Sequence, residues 1–128
     1  MKRLWAILVL LPVVASAQDT FQLPSGNIHC GWQGESLRCD ILSYSFAPAP
    51  RPRGCDAEWG NSVEIGPRGP VKRLCHSDGV MNPGSAVLGY STAWRMAGIE
   101  CTAAPTGLRC VNADGRGFDM ARTQLRLF

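Results

Sequence analysis

Ile28-His29-Cys30-Gly31-Trp32-Gln33-Gly34-Glu35-Ser36-Leu37-Arg38-Cys39-Asp40-Ile41 decides the fold. On its first arm Ile28, Cys30 and Trp32 alternate with His29, Gly31 and Gln33. On its return Leu37, Cys39 and Ile41 alternate with Ser36, Arg38 and Asp40. A period of two with one apolar face is the pattern of a half-buried strand. Gly34-Glu35 sits at the centre, and glycine in the first turn position suits a type II′ hairpin. Counting outward, Gln33 faces Ser36, Trp32 faces Leu37, Gly31 faces Arg38 and Cys30 faces Cys39. With a two-residue loop the cysteines fall on a non-hydrogen-bonded pair, where strands approach most closely. A disulfide spans that separation.

The pattern returns 71 residues later. Ile99-Glu100-Cys101 through Leu108-Arg109-Cys110 repeats the isoleucine, both cysteines, the leucine and the arginine. Around Pro105-Thr106, Ala103 faces Leu108 and Cys101 faces Cys110. Proline fits a primed turn poorly, so Gly107 is expected to take up the twist in a longer or bulged loop. Ile28, Trp32, Leu37, Ile41, Ile99 and Leu108 are expected inside, with Gln33, Arg38, Glu100 and Arg109 outside. The hairpin counts pair Cys30 with Cys39 and Cys101 with Cys110, which leaves Cys55 for Cys75. A duplication and two hairpins under one constraint explain the repeat equally well.

Between the hairpins, residues 47–54 form a proline-rich connector, expected to be extended. Cys55 and Cys75 bracket Val63-Glu64-Ile65 and the turn-rich Gly66-Pro67-Arg68-Gly69-Pro70. This predicts a strand, a tight turn and a second strand near residues 71–74. Residues 76–84 read as loop, 86–94 as holding a strand, and 120–128 as a closing strand. No long helical period occurs after the amino-terminal segment. The expected fold is therefore all-β: a small antiparallel domain stapled by disulfides, with two similar hairpins and a cysteine-closed middle segment.

The amino terminus reads as a secretory signal peptide over residues 1–17. Lys2 and Arg3 precede an apolar run from Leu4 to Val14, and Ala15-Ser16-Ala17 offers small residues for cleavage. The run is shorter than the roughly 20 residues of a membrane-spanning helix. No cysteine follows the cut, which closes the lipoprotein route. Residues 18–128 remain as one domain. Cleavage removes two of the 13 basic side chains and none of the ten acids, so the net charge of +3 falls towards neutrality. The remaining charges are scattered, which gives no reason to expect nucleic acid or stable membrane insertion as partners. Six cysteines in an exported chain indicate a disulfide framework and a periplasmic or secreted location.

Phe21-Gln22-Leu23-Pro24-Ser25-Gly26-Asn27-Ile28-His29-Cys30 resembles the opening of a family of small exported bacterial proteins. So does the following Leu37-Arg38-Cys39-Asp40-Ile41. Gly115-Arg116-Gly117-Phe118-Asp119-Met120-Ala121-Arg122 resembles the same family's closing segment, with Trp59-Gly60 and the stretch from Leu88 to Trp94 between them. The chain departs at Ser91, Arg116 and Ala121, where the family pattern has glycine, histidine and serine. The resemblance implies export, a β-rich fold and three disulfides, and it supplies no catalytic residue.

Chemistry-bearing residues are few. His29 and Asp40 face each other as a candidate dyad, yet a hydrophilic cross-strand pair accounts for them and Ser25 is near only in sequence. Cys75-His76 lacks the close pairing of zinc ligands. Residues 112–117 lack the further acids of a calcium loop and read as a turn. No metal and no cofactor is expected. Trp59 and Trp94 are read both as core fillers and as exposed anchors, and Arg116 and Arg122 beside Phe118 as a ligand patch or as partners of acids. These four residues are the candidate binding surface. The leading expectation is a non-enzymatic binding module for an unknown protein or envelope ligand, contacting it through the middle loop or the carboxy-terminal glycine segment. An inhibitor of a hydrolase is one concrete version. The alternatives are a small secreted hydrolase and a structural envelope component.

Overall fold

The structure, a computed structural model, describes residues 5–7 and 19–128. The signal-peptide reading falls almost wholly outside the described residues. Eleven strands and no helix occur among them: β1 (Thr20–Gln22), β2 (Ile28–Trp32), β3 (Leu37–Ile41), β4 (Ser62–Ile65), β5 (Lys72–Arg73), β6 (Ala86–Val87), β7 (Ala93–Met96), β8 (Ile99–Ala104), β9 (Gly107–Val111), β10 (Gly117–Met120) and β11 (Leu125–Leu127). The first sheet has the order β5-β4-β3-β2-β1-β6, antiparallel except for the β1–β6 pair. The second is an antiparallel meander, β11-β10-β9-β8-β7. The expectation of an all-β, disulfide-stapled domain holds.

Both hairpins have the expected register. Cys30 pairs with Cys39 and Trp32 with Leu37, while Cys101 pairs with Cys110 and Ala103 with Leu108. All three disulfides form as counted, Cys30–Cys39, Cys55–Cys75 and Cys101–Cys110. In the two hairpins the bridged Cα atoms are 4.1 and 4.0 Å apart, the close approach of a non-hydrogen-bonded pair. Gly34 has φ 90°, as a type II′ turn requires of its first position. The second turn differs from expectation. Ala104 pairs directly with Gly107, so Pro105-Thr106 is a two-residue turn without a bulge. Gly107 is needed for space as well as for its φ of 149°, since a Cβ there would lie 2.1 Å from the Met120 carbonyl oxygen.

The repeat seen in the sequence extends to whole sheets. Phe21, Cys30, Cys39 and Val63 form a row across β1 to β4, and Trp94, Cys101, Cys110 and Phe118 form the matching row across β7 to β10. All eight are buried in one apolar cluster shared by the two sheets. Ile28, Leu37, Ile41, Ile99 and Leu108 join it, with Trp32 packed partly exposed at its margin. The rings of Phe21 and Trp32 lie 5.2 and 6.5 Å from that of Trp94.

Three expectations need correction. Arg38 sits on the outer face of β3 as the alternation requires, yet only 6 % of it is exposed, because residues 76–85 fold back over that face. The stretch 86–94 supplies β6 and the start of β7, which lie in different sheets. The strand near residues 71–74 is only Lys72–Arg73.

Candidate functional site

The outer face of the first sheet carries a polar row in register across four strands: Gln22, His29, Asp40 and Ser62. Arg38 and Gly31 lie in the next row. Gly31 presents no side chain, and Val80 packs against it. A glycine inside a strand marks close backbone approach, and here the segment that approaches is the loop His76–Ser85.

Side chains of the sheet hold this loop by its backbone. Arg38 Nη2 donates to the Asp78 carbonyl at 2.6 Å, and Asp40 Oδ2 accepts from the Val80 amide at 3.1 Å. His29 Nδ1 accepts from the Asn82 amide at 3.3 Å, while its Nε2 lies 2.8 Å from the Gly26 carbonyl, which fits the Nε2–H tautomer. Gln22 Nε2 donates to the carbonyls of Pro83 and Ser85. Within the loop, the Ser85 hydroxyl donates to the Asn82 carbonyl and Asn82 Oδ1 accepts from the Gly84 amide. At its start, the ring nitrogens of His76 lie 2.6 Å from the Asp78 carbonyl and 3.0 Å from Asn61 Oδ1.

A buried ion pair anchors this clamp. Arg38 Nε and Nη2 donate to the two oxygens of Asp40 at 3.1 and 3.2 Å, and Asp40 is only 2 % exposed. The fork-to-fork geometry is the strong form of such a contact. Ser62 donates its hydroxyl proton to Asp40 and accepts from Arg38 Nε. Asp78 adds a second carboxylate to Arg38 at 3.3 Å from a position 85 % exposed. Among the described residues no buried side-chain polar atom lacks a partner. Burying a charge pair costs desolvation energy that its own attraction barely offsets. Its distinctive contribution here is the fixed path of the loop.

The candidate residues fall out unevenly against this geometry. His29 and Asp40 are opposite each other but make no direct hydrogen bond, and both are buried rather than forming a surface pair. Ser25 Oγ accepts from the Asn27 amide and caps its own turn. Trp94 is 5 % exposed and belongs to the core, which removes it from any binding surface. Trp59 is half-buried and donates from Nε1 to the Ala49 carbonyl, tying down the proline-rich connector. Phe118 is buried, so no patch forms around it with Arg116 and Arg122. Arg116 instead reaches the Phe128 carbonyl at 3.4 Å. Arg122 is exposed beside a hollow of about 310 Å³ that it shares with Leu23, Tyr90 and Pro105.

Two readings of motifs resolve as turns and links. Cys75 is bonded to Cys55, and no group of three His, Cys, Asp or Glu able to hold a metal ion occurs among the described residues. Asn112 Oδ1 accepts from the amides of Asp114 and Arg116, and its Nδ2 donates to the carbonyls of Gly66 and Gly69, fixing the 112–117 turn to the middle hairpin. On the outer face of the second sheet, Asp119 lies between Arg109 and Arg126 at 2.9 and 2.8 Å. Partial burial pushes its carboxyl up, but the hydrogen bonds and charges of the two arginines outweigh this and hold it below its ordinary value. Phe128 lays its ring against both guanidinium groups at 4.5 and 5.3 Å.

The sequence reading missed the clamp and the exposed apolar side chain on it, Met81, which is 56 % exposed. Gly31 within β2 was the available signal. Three disulfides suit a chain that folds in an oxidising compartment. No helix among the described residues is long and apolar enough to cross a membrane. No curated protein and no solved structure matches the chain. A family model described as "Family of unknown function (DUF6636)" matches residues 3–128, nearly the whole chain, and the protein belongs to that family.

Proposed function

We propose that the protein is a non-enzymatic binding module of the periplasm or the extracellular space, and that its contact surface is the clamped loop His76–Ser85. The observation that carries this reading is the direction of the polar groups on the outer face of the first sheet. Arg38, Asp40, His29 and Gln22 all bond to the loop backbone and leave its outer side to solvent. The groups best suited to acid–base chemistry are thereby engaged in positioning. Both ring nitrogens of each histidine lie against backbone or amide partners. A loop fixed before contact loses little conformational entropy on binding, which is where preorganised binders gain affinity.

The test uses the oxidised mature protein as bait in extracytoplasmic fractions. Partners retained by the native protein and by Arg122→Ala, but lost with Met81→Asp, are the expected result. Equal capture by the native protein and Met81→Asp would move the contact surface elsewhere. Turnover of a substrate that vanishes on replacing His29 would replace the binding reading with an enzymatic one.

A further inference from the structure

The shape of the loop constrains the partner. From Gly79 to Asn82 the backbone runs without a turn or bend. Alternate positions along it are occupied from below, at the Asp78 carbonyl, the Val80 amide and the Asn82 amide. Between them, the backbone groups of Gly79 and Met81 take no hydrogen bond among the described residues. The segment is thus a run without turn or bend, with unpaired backbone groups at Gly79 and Met81 and one large exposed apolar side chain, that of Met81. Extended peptides of this kind are recognised by strand addition, in which main-chain hydrogen bonds give affinity and a side-chain pocket gives specificity. A domain that reads a free carboxyl terminus has nothing to hold in an internal loop.

We infer that the loop docks as a substrate-like strand in the cleft of an endoproteinase whose specificity pocket is apolar, with Met81 filling that pocket, and so obstructs the enzyme. This rests on the loop being the contact surface and adds the partner's class. The anchoring explains why such a strand obstructs the cleft instead of leaving as product. Upstream of the Met81–Asn82 bond, the chain is held by the Cys55–Cys75 disulfide, Arg38 and Asp40. Downstream, it is held by His29, Gln22 and the pairing of β6 with β1. Neither side is released if that bond is cut, and the two new ends stay aligned.

The experiment titrates a chymotrypsin-like and a subtilisin-like proteinase, and trypsin, with the oxidised protein against small chromogenic substrates. The native protein is expected to inhibit at least one apolar-pocket enzyme and to leave trypsin active. Met81→Lys is expected to reverse that preference by at least about 100-fold, since an acidic pocket selects a basic side chain. The exposed position of Met81 lets the variant fold, which retention of all three disulfides verifies. Failure to inhibit any apolar-pocket enzyme, or rapid scission between Met81 and Asn82 without inhibition, overturns the proteinase assignment. A photo-reactive residue at position 81 separates the two levels. Capture of a partner that is not a proteinase refutes this inference and keeps the loop as contact surface, whereas capture indifferent to position 81 removes both.

Discussion

Asp40→Asn removes one charge from the buried pair while keeping the side chain's shape. The native carboxylate accepts from Arg38 twice, from Ser62 and from the Val80 amide. An amide supplies one oxygen and one NH2, so whichever carboxylate oxygen is replaced, one Arg38 N–H meets a donor, and the Val80 amide meets it too if that oxygen is Oδ2. Breaking a buried ion pair by removing one partner costs about 3–5 kcal/mol. Asp78 remains 3.3 Å from Arg38 but is mostly solvated, so it offsets only part of the loss. The expected destabilisation is therefore about 3 kcal/mol, a large share of a typical 5–15 kcal/mol. With a urea m-value of about 1 kcal/mol/M, the unfolding midpoint falls by about 3 M. Replacing both partners, Arg38→Met with Asp40→Leu, leaves no uncompensated charge and is expected to cost less than Asp40→Asn alone. The double variant has no acceptor left for Val80, so amide exchange of residues 78–82 rises there. Urea titration followed by tryptophan fluorescence, with exchange read by mass spectrometry, measures all of this. A loss below about 1 kcal/mol for Asp40→Asn, or a double variant worse than the single, would refute the clamp as described.

Reduction of the oxidised protein is expected to unfold it or lower its melting temperature sharply. Loop closure contributes about 2.7 kcal/mol for each hairpin disulfide and about 3.3 kcal/mol for Cys55–Cys75, as upper figures checked by calorimetry with and without reductant. Asp119→Asn is expected to cost about 0.2–1 kcal/mol, as for a partly exposed ion pair. Because the folded carboxyl is held below its ordinary value of 3.8, the native residue's contribution is present above that pH and is lost as pH falls below it. The difference between native and variant urea midpoints should therefore shrink between pH 5 and pH 3. Gly107→Ala is expected to cost about 2 kcal/mol or more by thermal melting, since its Cβ collides with backbone. Gly34→Ala, in open space at φ 90°, should cost about 1 kcal/mol.

The hairpins were legible because everything that sets them is local. Alternation assigns the faces, Gly34-Glu35 sets the first turn and the cysteines then meet by counting, whereas the second turn was expected to be longer or bulged and is a plain two-residue turn. The outer face of the first sheet was not legible. Arg38 and Asp40 bind residues 40 positions away, and Gln22 binds Ser85 across 63. The covering loop carries no periodic signal, so Arg38 reads as a solvent-facing strand residue. Trp94 was ambiguous because β7 pairs only on one side and its exposed neighbours Ala93 and Arg95 resemble a surface segment. β1 escaped notice because three residues are too short for alternation to show.

Site-specific cross-linking in the oxidised protein addresses the proposed contact surface most directly. A photo-reactive residue at position 81, on the clamped loop, is compared with one at position 123, on the exposed turn between β10 and β11. A discrete cross-linked species at position 81, absent at 123 and abolished by reduction of the disulfides, is the expected outcome. A species formed at 123 and not at 81 would contradict the loop's assignment as the surface this protein presents to its partner.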